Sequence, residues 1–258
     1  MWKTIFFDPL YNLLMWLISI VPYGSVGLAV IVLTILVKLA LSPLAFKSTK
    51  SQLLQKKLQP KVAELRKEYP DQQEQAKKLM ELYKEHKTSP FAGCLLILIQ
   101  IPIIIALYRV FLVGLEIIPE RFYSFVTQPD QLNVLFAGID LAQRSILLAV
   151  LAGLTQFVQL QLSPLMRNAK KENPEREKNT EKETDEKPDS SQQMMAVSQM
   201  MQKQMKFIMP IMIGFVAMAV PGAVALYWIV NNLFTMAQER VIARKVARED
   251  ATVAGTTV

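Results

Sequence analysis

Lys38 stands in ILVKLALSPL, residues 35–44, a stretch otherwise suited to lipid. An ammonium at the hydrocarbon centre costs about 2.5–3.5 kcal/mol even on insertion scales, so it needs water, a partner or a route to the interface. The residues alone leave two readings open. The lysine stem can snorkel toward the nearer boundary, or the ammonium can face a hydrated interior. Thr34 lies one turn earlier on the same helix face. Other apolar stretches carry uncharged polar groups: Gln100 in LLILIQIPIII, Gln156 with Gln159, and Tyr227, Asn231 and Gln238 at helical spacing. Singly, each reads as a helix-to-helix hydrogen bond. Together they can line a wet cavity open to the cytoplasm, where Lys38 stays charged without a buried carboxylate. The chemistry of such a cavity is electrostatic, a transient attraction for carboxylates. Arg109, late in its apolar stretch beside Tyr108, reads instead as an outward snorkel.

Little else points to catalysis. Histidine and cysteine occur once each, as His86 and Cys94, so neither a disulfide within the chain nor a cysteine metal cluster can form. The sequence has no phosphate-binding glycine loop and no metal-ligand spacing. Asp140 and Glu239 fall at the edges of apolar blocks rather than within them, which leaves no proton relay. The expectation is a non-enzymatic protein without cofactor or metal.

The elements that position these residues follow from the block pattern. Of 258 residues, 52% are hydrophobic, and they come in runs rather than at the spaced positions of a soluble core. The runs predict TM1 over 23–46, TM2 over 90–115, TM3 over 143–163, TM4 over 205–220 and TM5 over 223–239. Pro221-Gly222 divides the last apolar region into two short spans. The net charge of +7 is concentrated after TM1 and after TM5, whereas Arg121 is the only basic residue from Leu115 to Gln143. By the positive-inside rule, 47–89 and the 240–258 tail are cytoplasmic, 116–142 is an extracytoplasmic loop, and the N-terminus lies outside. This placement argues against DNA as a partner.

Residues 47–89 carry apolar positions at helical spacing on both sides of Tyr69-Pro70-Asp71, predicting an antiparallel helical hairpin. Residues 164–204 are expected to be a flexible cytoplasmic loop, since 167–193 is almost devoid of apolar residues; a methionine-rich run follows at 194–205. Segment 1–22 has no small-x-small cleavage site, and Asp8-Pro9 interrupts it. It is expected to be an uncleaved helix in the outer interface, with Leu10, Leu13, Leu14, Trp16 and Leu17 on one face.

Four stretches, VKLALSPLAFKSTKSQ, LQPKVAELRKEY, KTSPFAGCLLILIQIPIIIALYRVF and MKFIMPIMIGFVAMAVPGAVALYWIVNNLF, resemble the YidC-type membrane protein insertases in family order across most of residues 7–242. The resemblance implies an all-α integral membrane protein of the bacterial plasma (inner) membrane. Five transmembrane helices would surround a hydrophilic groove open to the cytoplasm, with a cytoplasmic helical hairpin. Lys38 matches the family's groove basic residue, usually arginine, and keeps its charge without the planar guanidinium fork. Thr34, Gln100 and Tyr227 match groove-facing or substrate-near positions; Gln156, Gln159 and Asn231 are added from helical facing. Nascent membrane proteins and the lipid bilayer are the implied partners, with the ribosome and a Sec translocase as further candidates. Scarcely any chain precedes TM1 and there is no lipobox cysteine, so a minimal member without the large extracytoplasmic domain is expected. A small channel or transporter and a noncatalytic assembly scaffold are the competing readings.

Overall fold

The computed structural model describes residues 3–69, 71–86, 88, 92–113, 118–129, 131–164 and 208–255. The segment 167–193 and the methionine-rich run lie outside the described residues. The protein is mostly helical: α1 (Asp8–Ile20), α2 (Val26–Glu68), α3 (Gln72–Glu85), α4 (Ala92–Val113), α5 (Ile146–Leu162), α6 (Ile208–Ala219) and α7 (Gly222–Gly255). A two-residue hairpin pairs β1 (Leu135–Phe136) with β2 (Ile139–Asp140) in antiparallel register. One compact unit comprises Met1–Ala45, Cys94–Gln159 and Pro210–Ala237; the other comprises Phe46–Gly93, Leu160–Met209 and Gln238–Val258.

The first unit buries its helix crossings and turns apolar faces outward. α5 is the clearest case. Its inward residues are Leu148, Ala149, Ala152 and Gln159, while Ile146, Leu147, Val150, Leu151, Leu154 and Val158 are exposed. In this unit α6 likewise exposes Ile211, Met212, Phe215 and Val216 while burying Ala217. The two helices approach closely because neither Gly153 nor Gly214 carries a side chain: a Cβ on Gly153 would lie 3.3 Å from the Pro210 carbonyl oxygen. On these two helices the larger apolar side chains are mostly directed outward and small residues meet at the crossing, an arrangement a lipid solvent favours.

One end of this unit is closed by loop backbone. The α2 start bonds to the loop through Val26 N–H to Asn133 O (2.9 Å), and the α7 start through Gly222 N–H to Gln143 O (2.8 Å) and Ala223 N–H to Leu141 O (3.0 Å). These bonds satisfy helix N-terminal donors that would otherwise be buried unpaired. A second set holds α1. The Ile118 N–H donates to the Tyr11 hydroxyl, Asn12 bonds both the Arg121 carbonyl and the Tyr123 N–H, and Asp8 pairs with Arg121 at 3.0 Å. Burial pushes the Tyr11 phenol up, outweighing the amide it accepts from. These bonds fix the rotation of α1. Tyr11, Leu14, Met15, Leu17 and Ile18 form the buried face of α1, and Trp16 is exposed.

In the second unit the charged half of α2 continues without a break from the apolar half, through Pro43 and Pro60. Each proline forfeits one backbone bond, but its fixed φ is helical. Asp71 caps α3 by accepting from the Glu74 N–H (2.9 Å). The Thr88 hydroxyl then donates to the Ser51 carbonyl at 3.1 Å, so the chain beyond α3 returns to α2 as a hairpin. On its solvent face Lys78 bonds Glu81, holding that carboxyl below the usual range.

By length and composition, Val26–Leu65 is the one stretch among the described residues that meets the requirements of a full membrane crossing; Thr4–Ile20, Ile101–Phe111, Ile146–Leu162 and Ile208–Ala219 are shorter apolar helices.

Gly27 tests the closed end. A Cβ there would fall 2.3 Å from the Phe136 ring, so Gly27→Ala is expected to cost about 1–3 kcal/mol through overpacking. Thermal unfolding in detergent should show a lowered Tm, partly recovered by adding Phe136→Ala. An unchanged Tm for the single variant would contradict the packing.

Candidate functional site: a lysine in a polar helix junction

The backbone of α2 carries Thr34 and Lys38 on one face, and the first half of α7 carries Tyr227, Asn231 and Thr235 on another. These faces meet. Lys38 Nζ donates to Thr235 Oγ1 at 2.8 Å, and the Thr235 hydroxyl donates to the Asn231 carbonyl at 2.7 Å. The threonine thereby passes polarity from the α7 backbone to the ammonium without adding a charge. Thr34 is 2% exposed, and its hydroxyl is held by the Val30 carbonyl at 2.7 Å. It presents a satisfied, neutral wall one turn from Lys38.

A second polar contact joins α5 to α7. Asn232, 2% exposed, reaches Thr155 Oγ1 at 3.3 Å, and Thr155 donates to the Leu151 carbonyl at 2.8 Å. The Asn231 amide nitrogen lies 3.4 Å from Asn232 Oδ1, while Asn231 Oδ1 is buried without a protein partner. A buried, unsatisfied amide oxygen is costly in a dry interior, by about 1–3 kcal/mol. It is therefore a natural acceptor for water or for a polar group of a ligand.

The sequence-predicted residues distribute as follows. Lys38 and Asn231 meet at the Thr235 junction. Tyr227 is buried on the same α7 face. Gln156 donates to Gln159 at 3.1 Å, forming a pair on α5. Gln100 lies on α4, with its side chain outside the described residues.

Sequence reasoning missed Thr235, Asn232 and Thr155. Thr235 had a signal, since it continues the Tyr227–Asn231 stripe by one turn. Threonine in a helix usually satisfies its own hydroxyl on the preceding turn, which makes it easy to pass over. Asn232 and Thr155 lie off the predicted stripes, and only the helix packing pairs them.

Among the described residues no group of three or more metal-ligating side chains gathers. Among the described residues the junction brings together an ammonium, hydroxyls and amides. It offers electrostatic attraction and hydrogen bonding to a transient guest.

The sequence pattern of the 60Kd inner membrane protein matches residues 16–249. The chain belongs to the 60Kd inner membrane protein family, the YidC-type family its motifs resemble. A relative in Pelobacter propionicus, described as membrane protein insertase YidC, is 30% identical over 249 residues, covering 95% of this chain and 40% of the relative. A second of that description, in Francisella tularensis subsp. novicida, is 33% identical over 222 residues, 86% of this chain and 33% of the relative. The chain thus spans less than half the length of these curated relatives of the 60Kd inner membrane protein family.

A double-mutant cycle tests the junction. Thr235→Val keeps the shape but removes an acceptor for Lys38, and should cost about 1.5–3 kcal/mol in thermal stability, as expected for a hydrogen bond to a charged group. The same change in a Lys38→Met background should cost less. Equal losses in both backgrounds would show that the contact carries no coupling.

Proposed function

We propose that this chain inserts newly made membrane proteins into the bilayer without hydrolytic chemistry of its own. The observation that carries the reading is a polar junction set inside helices that also carry large exposed apolar faces: Ile146, Leu147, Leu154, Ile211 and Phe215 face outward on α5 and α6, while Lys38 meets Thr235 between α2 and α7. Family membership supports it, as does the printed description of the relatives as insertases.

In this reading five spans surround a groove open to the cytoplasm, with the N-terminus outside and the α2–α3 hairpin and C-terminal tail in the cytoplasm. The site comprises Lys38, Thr34, Gln100, Gln156, Gln159, Tyr227 and Asn231, to which the junction adds Thr235. A polar segment of the client enters transiently, and its carboxylates are drawn to Lys38. Its apolar span meanwhile moves into lipid along the outward faces. Each partial step lowers a barrier that would otherwise be several kcal/mol per charge.

The helix break between Ala219 and Gly222 supports a further element of this reading. Two short spans meeting at Pro221 would thin the bilayer locally and shorten the client's path.

A channel would need a continuous polar path, so ion flux through vesicles without client separates that class. A scaffold would act only after another translocase. The deciding experiment places this protein alone in vesicles and supplies a small single-span client with an acidic translocated segment. Insertion is expected with the wild type and with Lys38→Arg, and a reduction of about five- to tenfold with Lys38→Ala, corresponding to roughly 1–1.4 kcal/mol of lost electrostatic stabilisation. Normal insertion by Lys38→Ala would remove the electrostatic role, and failure of the wild type without another translocase would favour the scaffold.

A further inference from the structure

The amides of the junction form a hydrogen-bond chain whose direction can be read from one end. The Leu151 carbonyl can only accept, so the Thr155 hydroxyl spends its proton there, at 2.8 Å. Thr155 Oγ1 is then left to accept, and the Asn232 amide nitrogen supplies the proton at 3.3 Å. That orientation turns Asn232 Oδ1 toward Asn231, whose own amide nitrogen donates to it at 3.4 Å. Reversing either amide would set oxygen against oxygen with no proton between them. The head of the chain is therefore an acceptor, Asn231 Oδ1, and this atom is buried with no partner in the protein.

The threonines of the junction cannot fill that role. Thr235 gives its proton to the Asn231 main-chain carbonyl, and Thr34 gives its own to the Val30 carbonyl. An ionised carboxylate has no proton to give, so the group that Lys38 attracts cannot satisfy Asn231 either. A donor has to come from a guest, as an N–H or an O–H. The backbone N–H is the donor that every residue except proline brings, and a segment leaving water needs acceptors for these groups. Asn231 as a whole is half-buried, which places it at the rim of the junction, within reach of an entering segment.

We infer that Asn231 Oδ1 accepts a backbone N–H of the client's polar segment, and so receives uncharged segments that offer Lys38 nothing. The inference rests on the insertase reading above and names a further substrate class for the same site, peptide without acidic side chains. The contact satisfies an acceptor that the closed junction leaves unsatisfied. Each N–H in turn can make it, so entry is favoured without selection for one sequence.

The test places the full chain in vesicles with synthetic single-span clients whose uncharged translocated segments are built of alanine, proline or hydroxyproline. Alanine offers backbone N–H groups, proline offers no donor, and hydroxyproline offers hydroxyls alone. The wild type is expected to insert the alanine client about fivefold faster than the proline client, the size of one net hydrogen bond. Asn231→Leu, close in volume and without an acceptor, should bring the two rates within about twofold. Asn231→Ala gives the same readout should leucine disturb the fold. The clients also differ in conformation, so the decisive quantity is the change in their ratio between proteins, which a purely structural role for Asn231 would leave unmoved. A ratio unchanged by both variants would overturn the proposal. An Asn231-dependent preference for hydroxyproline over proline, with none for alanine, would move the contact to side-chain hydroxyls and overturn the backbone assignment. An acidic client run alongside separates the two failures. Its insertion without any Asn231-dependent ratio sinks this proposal alone, whereas no insertion of any client sinks the insertase reading with it.

Discussion

A single ammonium among apolar helices sets the terms for the first unit. Lys38 cannot be left dry and unpaired, since an uncompensated charge in hydrocarbon costs several kcal/mol. A buried carboxylate would neutralise it, but would also occupy it permanently. One partner is Thr235, a neutral acceptor itself anchored on the Asn231 carbonyl. A neutral partner holds the lysine in place without adding a charge. That choice carries through to neighbouring positions: Thr34 is neutral and satisfied, and the α5 contact to Asn232 is made by a threonine.

Around the polar junction the core is apolar, and α5 and α6 also turn large apolar side chains outward. α5 and α6 can meet through Gly153 and Gly214 because their large side chains are directed outward rather than into the crossing. Small residues at the crossing bring backbones close, where dispersion replaces the hydrophobic drive that lipid cannot supply. The closed end complements this arrangement. Loop backbone from Asn133 to Gln143 bonds the starts of α2 and α7, so the helices that present Lys38 and Thr235 are fixed at their origins. The reach from these origins to the junction is helical, and helices transmit position well.

Much of this was legible in sequence, for reasons that can be named. Pro221-Gly222 marked the break before α7 because proline lacks a donor and the backbone there must turn. Asp71 after Tyr69-Pro70 marked the start of α3, and the cap is formed. Lys38 stood out because charge is rare in such a run. The length of α2 was less legible: polarity changes near Phe46, but backbone hydrogen bonding is indifferent to polarity and carries the helix to Glu68. The rotation of α1 was hidden for another reason. Its determinants, Ile118, Arg121 and Tyr123, lie more than a hundred residues away in sequence, where no local period reports them. Thr235 and Asn232 illustrate the same limit at the site, because helix periodicity gives a face but not the helix it meets.

The central claim is that the Lys38 junction receives the polar part of a client while the outer faces of the unit meet lipid. Site-specific photocrosslinking to a nascent chain stalled during insertion tests it most directly, with the probe at position 34, at position 38 or at the exposed position 215. The account predicts adducts from positions 34 and 38 to the acidic translocated segment, and none to that segment from position 215. Adducts to the acidic segment from position 215 alone would contradict it.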